Sequence, residues 1–394
     1  MFQRMTPSIV ITIAAVVISL FFIRRYFAFA QRDISKFILL DSRFIDQDQL
    51  LDKSVFVYDS GYDGQFYYRY ALNPFKVKKR AYGIEVDDPQ FRRQRITYSF
   101  LAWMVSFGQA EWVPWSMVVI NILGLLGIVM TMVLLFKYYQ IELIYALFPL
   151  LIVGFWMSLS RNTTEITEGL FLSLSLYAIV KQKWWQYALF ASLTVLSREG
   201  AIILLGGGSV AITLYAWQEG KLNLKLLFCL LTPLIIFLSH RQLIDALMPR
   251  EKFPPISDFL GPPFAGITEG VMLNTAEAIW VWPAVNIYIG YTIGLALLTG
   301  ITINYGFSLQ KYTSIKEQWL TPFLTGAIAV WIIFLIFLKI NIYIEDWGYM
   351  RISSTFFLLA FLFLILKNKR LNFVLLALAF ICCFSFAIRA WQTA

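Results

Sequence analysis

The stretch VPWSMVVINILGLLGIVMTMVLLF, Val113 to Phe136, carries no charged side chain and decides the fold class. As an α-helix it would extend roughly 36 Å at 1.5 Å per residue, enough to cross a hydrocarbon layer of about 30 Å. Comparable apolar runs recur along the chain: Pro7 to Ile23, Glu142 to Ser158, Ile166 to Val180, Trp185 to Leu196, Ala201 to Trp217 and Leu224 to Ser239, then Trp280 to Gly300, Thr321 to Ile340, Ser353 to Leu366 and Leu371 to Ala387. They predict an all-α polytopic membrane protein, a single transmembrane domain over residues 1–394 with about eleven spans.

Composition agrees. The chain is 59% hydrophobic and 14% charged, against about a quarter charged in soluble domains. A net charge of +9 does not point to nucleic acid, because the lysines are dispersed among short loops and form no single patch. Cys229, Cys382 and Cys383 lie in apolar runs and read as core residues. The single histidine, His240, excludes a multi-histidine metal site. The N-terminus has a signal-peptide look, with Arg4 ahead of an apolar run. No small-x-small cleavage site follows Phe22 and Arg24-Arg25 come next, so an uncleaved first helix is expected.

Alternate loops are rich in lysine: Lys137, Lys181 with Lys183, Lys221 with Lys225, Lys311 with Lys316, and Lys367 with Lys369 and Arg370. With Arg4 they predict a cytoplasmic side and a cytoplasmic N-terminus. The other side receives a large first loop, residues 24–112, and a second, residues 241–279. It carries arginines instead: Arg69, Arg92, Arg93, Arg95, Arg161, Arg198, Arg241 and Arg351. Orientation requires only charge, whereas a guanidinium fork suits phosphate and carboxylate. The arginine bias therefore favours an anionic ligand on the outer face, alongside pairing with lipid headgroups or local carboxylates.

Within the first loop, Asp59-Ser60-Gly61-Tyr62-Asp63-Gly64-Gln65-Phe66-Tyr67-Tyr68-Arg69-Tyr70 precedes Ala71-Leu72-Asn73-Pro74. Ser60-Gly61 predicts a turn, Asp63 an N-cap, and Pro74 the end of a short helix. Asp59 and Asp63, four apart at a membrane surface, suit general-base work or a divalent cation such as Mg²⁺ or Mn²⁺; equally they suit a turn and a cap.

The Tyr62-Asp63-Gly64-Gln65-Phe66-Tyr67-Tyr68 segment resembles bacterial members of the GT-C superfamily of membrane glycosyltransferases, which share a Tyr-Asp-Gly-x-Phe-Tyr-Tyr signature. The resemblance implies transfer of a sugar from a polyprenyl phosphate or diphosphate carrier at the extracytoplasmic face, with inversion. It places the essential acid at Asp63, with Asp59 second. It also implies two juxtamembrane helices, assigned to Asp63–Asn73 and Arg93–Phe107, and a mobile loop over the donor lipid at 241–279. The paired Asp-Asp or Asp-Glu of some members is absent.

On this footing Gln65, Tyr67, Arg69, Arg95, Arg161, Glu168, Arg198, Glu199, Tyr349 and Arg351 are candidate substrate contacts. Ser197-Arg198-Glu199-Gly200 and Tyr349-Met350-Arg351 sit at outer ends of spans; an interfacial ion pair and an aromatic belt account for them equally well. Gly206-Gly207-Gly208 reads as close helix packing. The expected partners are a polyprenyl-phosphate-linked sugar, an unidentified glycan, lipid or protein acceptor, and membrane lipid. The expected location is a bacterial inner membrane. A lipid-linked-saccharide transporter or flippase, and a glycan polymerase or ligase, are the rival readings.

Overall fold

A computed structural model of the chain describes residues 6–248, 260–276, 282–309, 319–339, 343, 346–368 and 373–392. It is mostly helical. Helices α1 (Pro7–Phe29), α5 (Val113–Tyr139), α9 (Ala201–Gln218), α10 (Leu224–Leu247) and α13 (Leu320–Phe337) are each long and apolar enough to cross a membrane. Among the described residues these make five candidate spans, or six if one bent pair counts as a single crossing.

That pair corrects the expected span from Glu142 to Ser158. Leu143–Leu151 forms a 3-10 helix that contains Pro149, and α6 (Val153–Arg161) follows at 58° to it. Proline lacks the N–H that a continuous ladder needs, and its ring crowds the preceding turn. Helices also occupy the other expected positions, but several are short. α7 (Glu165–Val180) has 16 residues and α8 (Trp184–Ser197) has 14. At 1.5 Å per residue these are roughly 24 and 21 Å long, less than a hydrocarbon core.

Later in the chain, α11 (Ala265–Ala276) and α12 (Trp282–Leu309) precede α13. They are followed by α14 (Asp346–Ile352), α15 (Ser354–Asn368) and α16 (Phe373–Gln392). The expected second loop, 241–279, is therefore partly helical: α10 runs into it as far as Leu247, and α11 lies within it. Its residues 249–259 and 277–279 lie outside the described residues, as do Lys311, Lys316, Lys369 and Arg370 of the charge pattern.

Residues 30–112 form a folded cap. Short parallel strands β1 (Leu40–Asp41) and β2 (Val57–Tyr58) pair, and β3 (Arg80–Ala81) forms a hairpin with β4 (Ile84–Glu85). Helices α2 (Gly64–Leu72), α3 (Pro89–Arg93) and α4 (Ile96–Val105) complete it. Its own core joins Ile38, Leu40, Tyr67, Tyr68, Tyr98 and Met117, the last from α5. Asn73 is extended and Pro74 follows, so α2 stops where proline predicts.

Two glycines bring α2 into place. A Cβ on Gly61 would overlap the Leu39 carbonyl, and one on Gly64 would overlap the Arg161 carbonyl and lie 2.7 Å from the Ile38 oxygen. Only glycine lets α2 start against the end of α6. In the same way, a Cβ on Gly207 would lie 2.6 Å from the Gly326 oxygen, so α9 and α13 cross nearly backbone to backbone. That is the close packing expected of the glycine triplet.

Candidate functional site

Where the cap meets α7, α9, α13 and α14, arginines and carboxylates interleave. Arg92 Nη1 lies 2.8 Å from Asp63 Oδ1, and its Nη2 lies 2.7 Å from Asp87 Oδ2. Arg351 Nη1 donates to Asp63 Oδ2 at 2.8 Å and to the Tyr62 hydroxyl at 2.9 Å. Arg351 Nε donates to Glu165 Oε1, also at 2.8 Å. Arg198 Nη1 lies 3.2 Å from the same Glu165 oxygen and 3.9 Å from Glu168 Oε2. Arg95 Nε donates to Glu199 Oε2 at 2.7 Å, and its Nη1 donates to the Tyr67 hydroxyl at 3.0 Å.

The chain builds this from local parts. Asn162 takes a left-handed conformation at the end of α6. The Thr163 N–H then donates to the Ser158 carbonyl. This turn delivers Glu165 and Glu168 on the first turn of α7, three residues apart and on one face. Arg198 sits in extended backbone between α8 and α9.

Asp63 does not cap α2 as expected. Its backbone is already helical and its side chain accepts no capping hydrogen bond, because it is turned onto Arg92 and Arg351. Burial acts to raise this carboxyl, but the two guanidiniums outweigh it and hold it well below the usual carboxylate range. Glu199 behaves alike: burial raises it, and Arg95 more than offsets that. Burial should discharge Arg92, Arg95 and Arg351, but their carboxylate partners keep all of them charged.

The network opens on a cavity of ≈550 Å³. Gln94, Arg95, Glu168, Arg198, Glu199 and Arg241 are its polar lining. Its body is apolar, lined by Phe91 and by residues of α9, α10 and α13 such as Ile203, Phe237 and Trp331. Leu260, from the expected lid segment, also reaches it, held by Gly261 N–H donating to the Phe337 carbonyl at 2.8 Å. Two buried polar atoms of lining residues lack hydrogen-bond partners, Glu168 Oε2 and Trp331 Nε1.

Of the predicted site residues, Arg95, Glu168, Arg198 and Glu199 line this cavity, and Asp63, Tyr67 and Arg351 belong to the network behind it. Others are employed elsewhere. Asp59 is exposed and outside the network. Gln65 Oε1 accepts from the Asp41 N–H at 3.0 Å, which ties α2 to β1. Arg69 is fully buried and donates to the Lys76 and Lys78 carbonyls, fastening the segment after Pro74. Arg161 donates to the Tyr26 hydroxyl. Tyr349 is buried in an edge-on contact with Tyr288. His240 Nε2 lies 3.3 Å from the Arg93 carbonyl, as an interfacial hydrogen-bonding residue should.

Asp59 and Asp63 do not fit a divalent cation. Both Asp63 oxygens already face guanidiniums, which occupy the carboxylate and repel a cation. Among the described residues, no three His, Cys, Asp or Glu side chains converge as a ligand set.

Glu165, Arg92 and Trp331 were not singled out from the sequence as site residues. Glu165 and Glu168 had a usable signal, two acids one turn apart at the head of an otherwise apolar helix. Trp331 had none, since its role depends on which helices surround it. No protein-family profile, no curated protein and no solved structure matches the chain.

Proposed function

We propose that this protein is a multi-pass membrane glycosyltransferase that moves a sugar from a polyprenyl-phosphate or diphosphate carrier to a glycan, lipid or protein acceptor. One observation carries the reading: a cavity with an apolar body ends in arginines and carboxylates. An amphiphile with an anionic head and a long hydrocarbon tail has this distribution of chemistry. Guanidinium groups at Arg95 and Arg198 suit the carrier phosphate and its developing charge as the sugar departs. The carboxylates Glu168 and Glu199 suit sugar hydroxyls and the acceptor proton.

In this reading Asp63 works through its neighbours. It keeps Arg92 and Arg351 charged and in place, so the arginine-rich wall does not collapse onto a single acid. The lysine-rich loops support a cytoplasmic N-terminus and an extracytoplasmic cap in a bacterial inner membrane, with about eleven crossings. Exposed Phe75, Phe107, Trp112 and Trp115, with Lys76 and Lys78 following Phe75 in the chain, suit a headgroup interface for the cap. A transporter would be favoured by broken helices in repeated halves. Among the described residues only one bent pair occurs, so transfer is preferred.

The test is an assay of the purified protein in nanodiscs with a panel of labelled polyprenyl-phosphate sugars, with and without chelator. Sugar release that survives chelation and is lost in Arg198→Gln supports the reading. Wild-type protein that turns over no donor, yet moves intact lipid-linked sugar across vesicles, supports the transporter instead. A reporter fused after Arg80 checks the orientation.

A further inference from the structure

Two carboxylates line the cavity, and they are not equivalent. Glu199 is held by Arg95 through both oxygens. Glu168 is only 2% exposed, and its Oε2 has no hydrogen-bond partner. Arg198 Nη1 is 3.9 Å from that oxygen, beyond hydrogen-bonding range. Trp331 Nε1, an equally buried and unpartnered donor, belongs to another residue lining the same cavity. Buried polar atoms are rarely left unpaired, so an unpaired acceptor and an unpaired donor on residues that line one cavity point to a polar ligand that completes both. Asp63 offers the opposite geometry. Each of its oxygens is occupied by a guanidinium, and it is not among the residues lining the cavity.

We infer that Glu168, not Asp63, is the catalytic residue that accepts the proton of the attacking hydroxyl, with the Trp331 N–H binding the ligand beside it. The inference rests on the sugar-transfer reading above. The acceptor oxygen bonds to the anomeric carbon while the bond from that carbon to the phosphate oxygen breaks. The bonding pair leaves on the polyprenyl phosphate, next to Arg198 and Arg95. The hydroxyl proton ends on Glu168 Oε2 and then passes to the released phosphate or to water, which restores the carboxylate. Arg198, 3.9 Å away, is too far to fill the lone pair of that oxygen, which leaves it open to the hydroxyl.

The experiment compares wild type, Glu168→Gln, Glu168→Asp and Trp331→Phe as full-length proteins in nanodiscs. It follows turnover with the donor that wild type accepts, binding of geranylgeranyl phosphate, and thermal denaturation. Glu168→Gln is expected to lower kcat by about 10²–10⁴-fold, the usual reach of a general base. Binding of geranylgeranyl phosphate and the melting temperature should stay at wild-type values, and the residual rate should lose the acid limb of the pH profile. Glu168→Asp should keep that limb with an intermediate kcat, and Trp331→Phe should raise KM for the donor or acceptor more than it lowers kcat. Wild-type turnover in Glu168→Gln overturns the assignment. So does a Glu168→Gln protein that loses lipid binding and melting temperature together with activity, since the role is then structural. Wild type inert toward every donor brings down the transfer reading and this assignment with it, and is distinguished by needing no variant.

Discussion

Replacing Arg351 by Gln removes the cation that bridges the cap to α7. Arg351 is 4% exposed and its Glu165 partner is fully buried, so the substitution leaves an interior carboxylate with a reduced partner set. Removing one member of a buried ion pair costs about 3–5 kcal/mol. Arg198, 3.2 Å from the same Glu165 oxygen, remains and moves the expectation to the lower end. Asp63 is 22% exposed and retains Arg92, so its share is smaller, under about 1 kcal/mol. An overall loss of about 3 kcal/mol is expected in denaturant unfolding of the detergent-solubilised protein. The double variant Arg351→Gln with Glu165→Gln should recover part of it, with a coupling energy of at least about 1.5 kcal/mol. A single variant within about 0.5 kcal/mol of wild type, or a cycle with no coupling, would refute the claim that this bridge holds the cap to the membrane helices.

Other perturbations separate the parts of the site. The folded Asp63 carboxyl lies below its unfolded value of about 4, so its contribution to stability is full above that pH and is lost as pH falls through the lower folded value. Acid unfolding of wild type should therefore steepen below about pH 4, and Arg351→Gln should blunt that steepening. Asp63→Asn is expected to lower stability by about 1–3 kcal/mol while reducing turnover far less than Glu168→Gln does, read from melts and initial rates. Gly64→Ala should destabilise by about 1–3 kcal/mol or more, because the obstacle is the Arg161 carbonyl and not a movable side chain; wild-type stability would show that α2 and α6 are not packed so closely. Arg198→Lys keeps the charge but loses the fork, and should raise donor KM about tenfold, an effect absent if Arg198 only balances Glu165.

Much of the fold was legible because its signals are local. Apolar runs place helices at the expected positions, Pro74 ends α2 where it should, and the glycine triplet marks a close crossing. Pro149 was visible too, but hydropathy outvoted it and a bend of 58° was read as one straight span. The site was legible in residue type more than in role. Asp63 looks like a cap because its neighbours in sequence make it one. The carboxylate is instead claimed by Arg351, 288 residues later, and no local pattern can report that competition. Arg69 shares its charge with the true cavity arginines and was grouped with them, yet it is spent on backbone carbonyls of its own loop. Conversely, the sequence offers Glu168 only as a substrate contact, because nothing near it in sequence reveals that its oxygen has no hydrogen-bond partner.

The crossing of Gly207 and Gly326 fixes more than one pair of helices. α9 carries Ile202 and Ile203 into the cavity wall, and α13 carries Trp331 and Phe334. Ile202, Ile203 and Trp331 lie only four or five residues from the crossing, roughly 7 Å along each axis, and Phe334 lies a turn further, roughly 12 Å away. The two walls are therefore arms of a scissor whose pin is bare backbone, and the gap between them is set at the pin. A single methyl group added there would widen the slot without touching any atom that faces it, altering the breadth of its apolar part while leaving its charged residues intact.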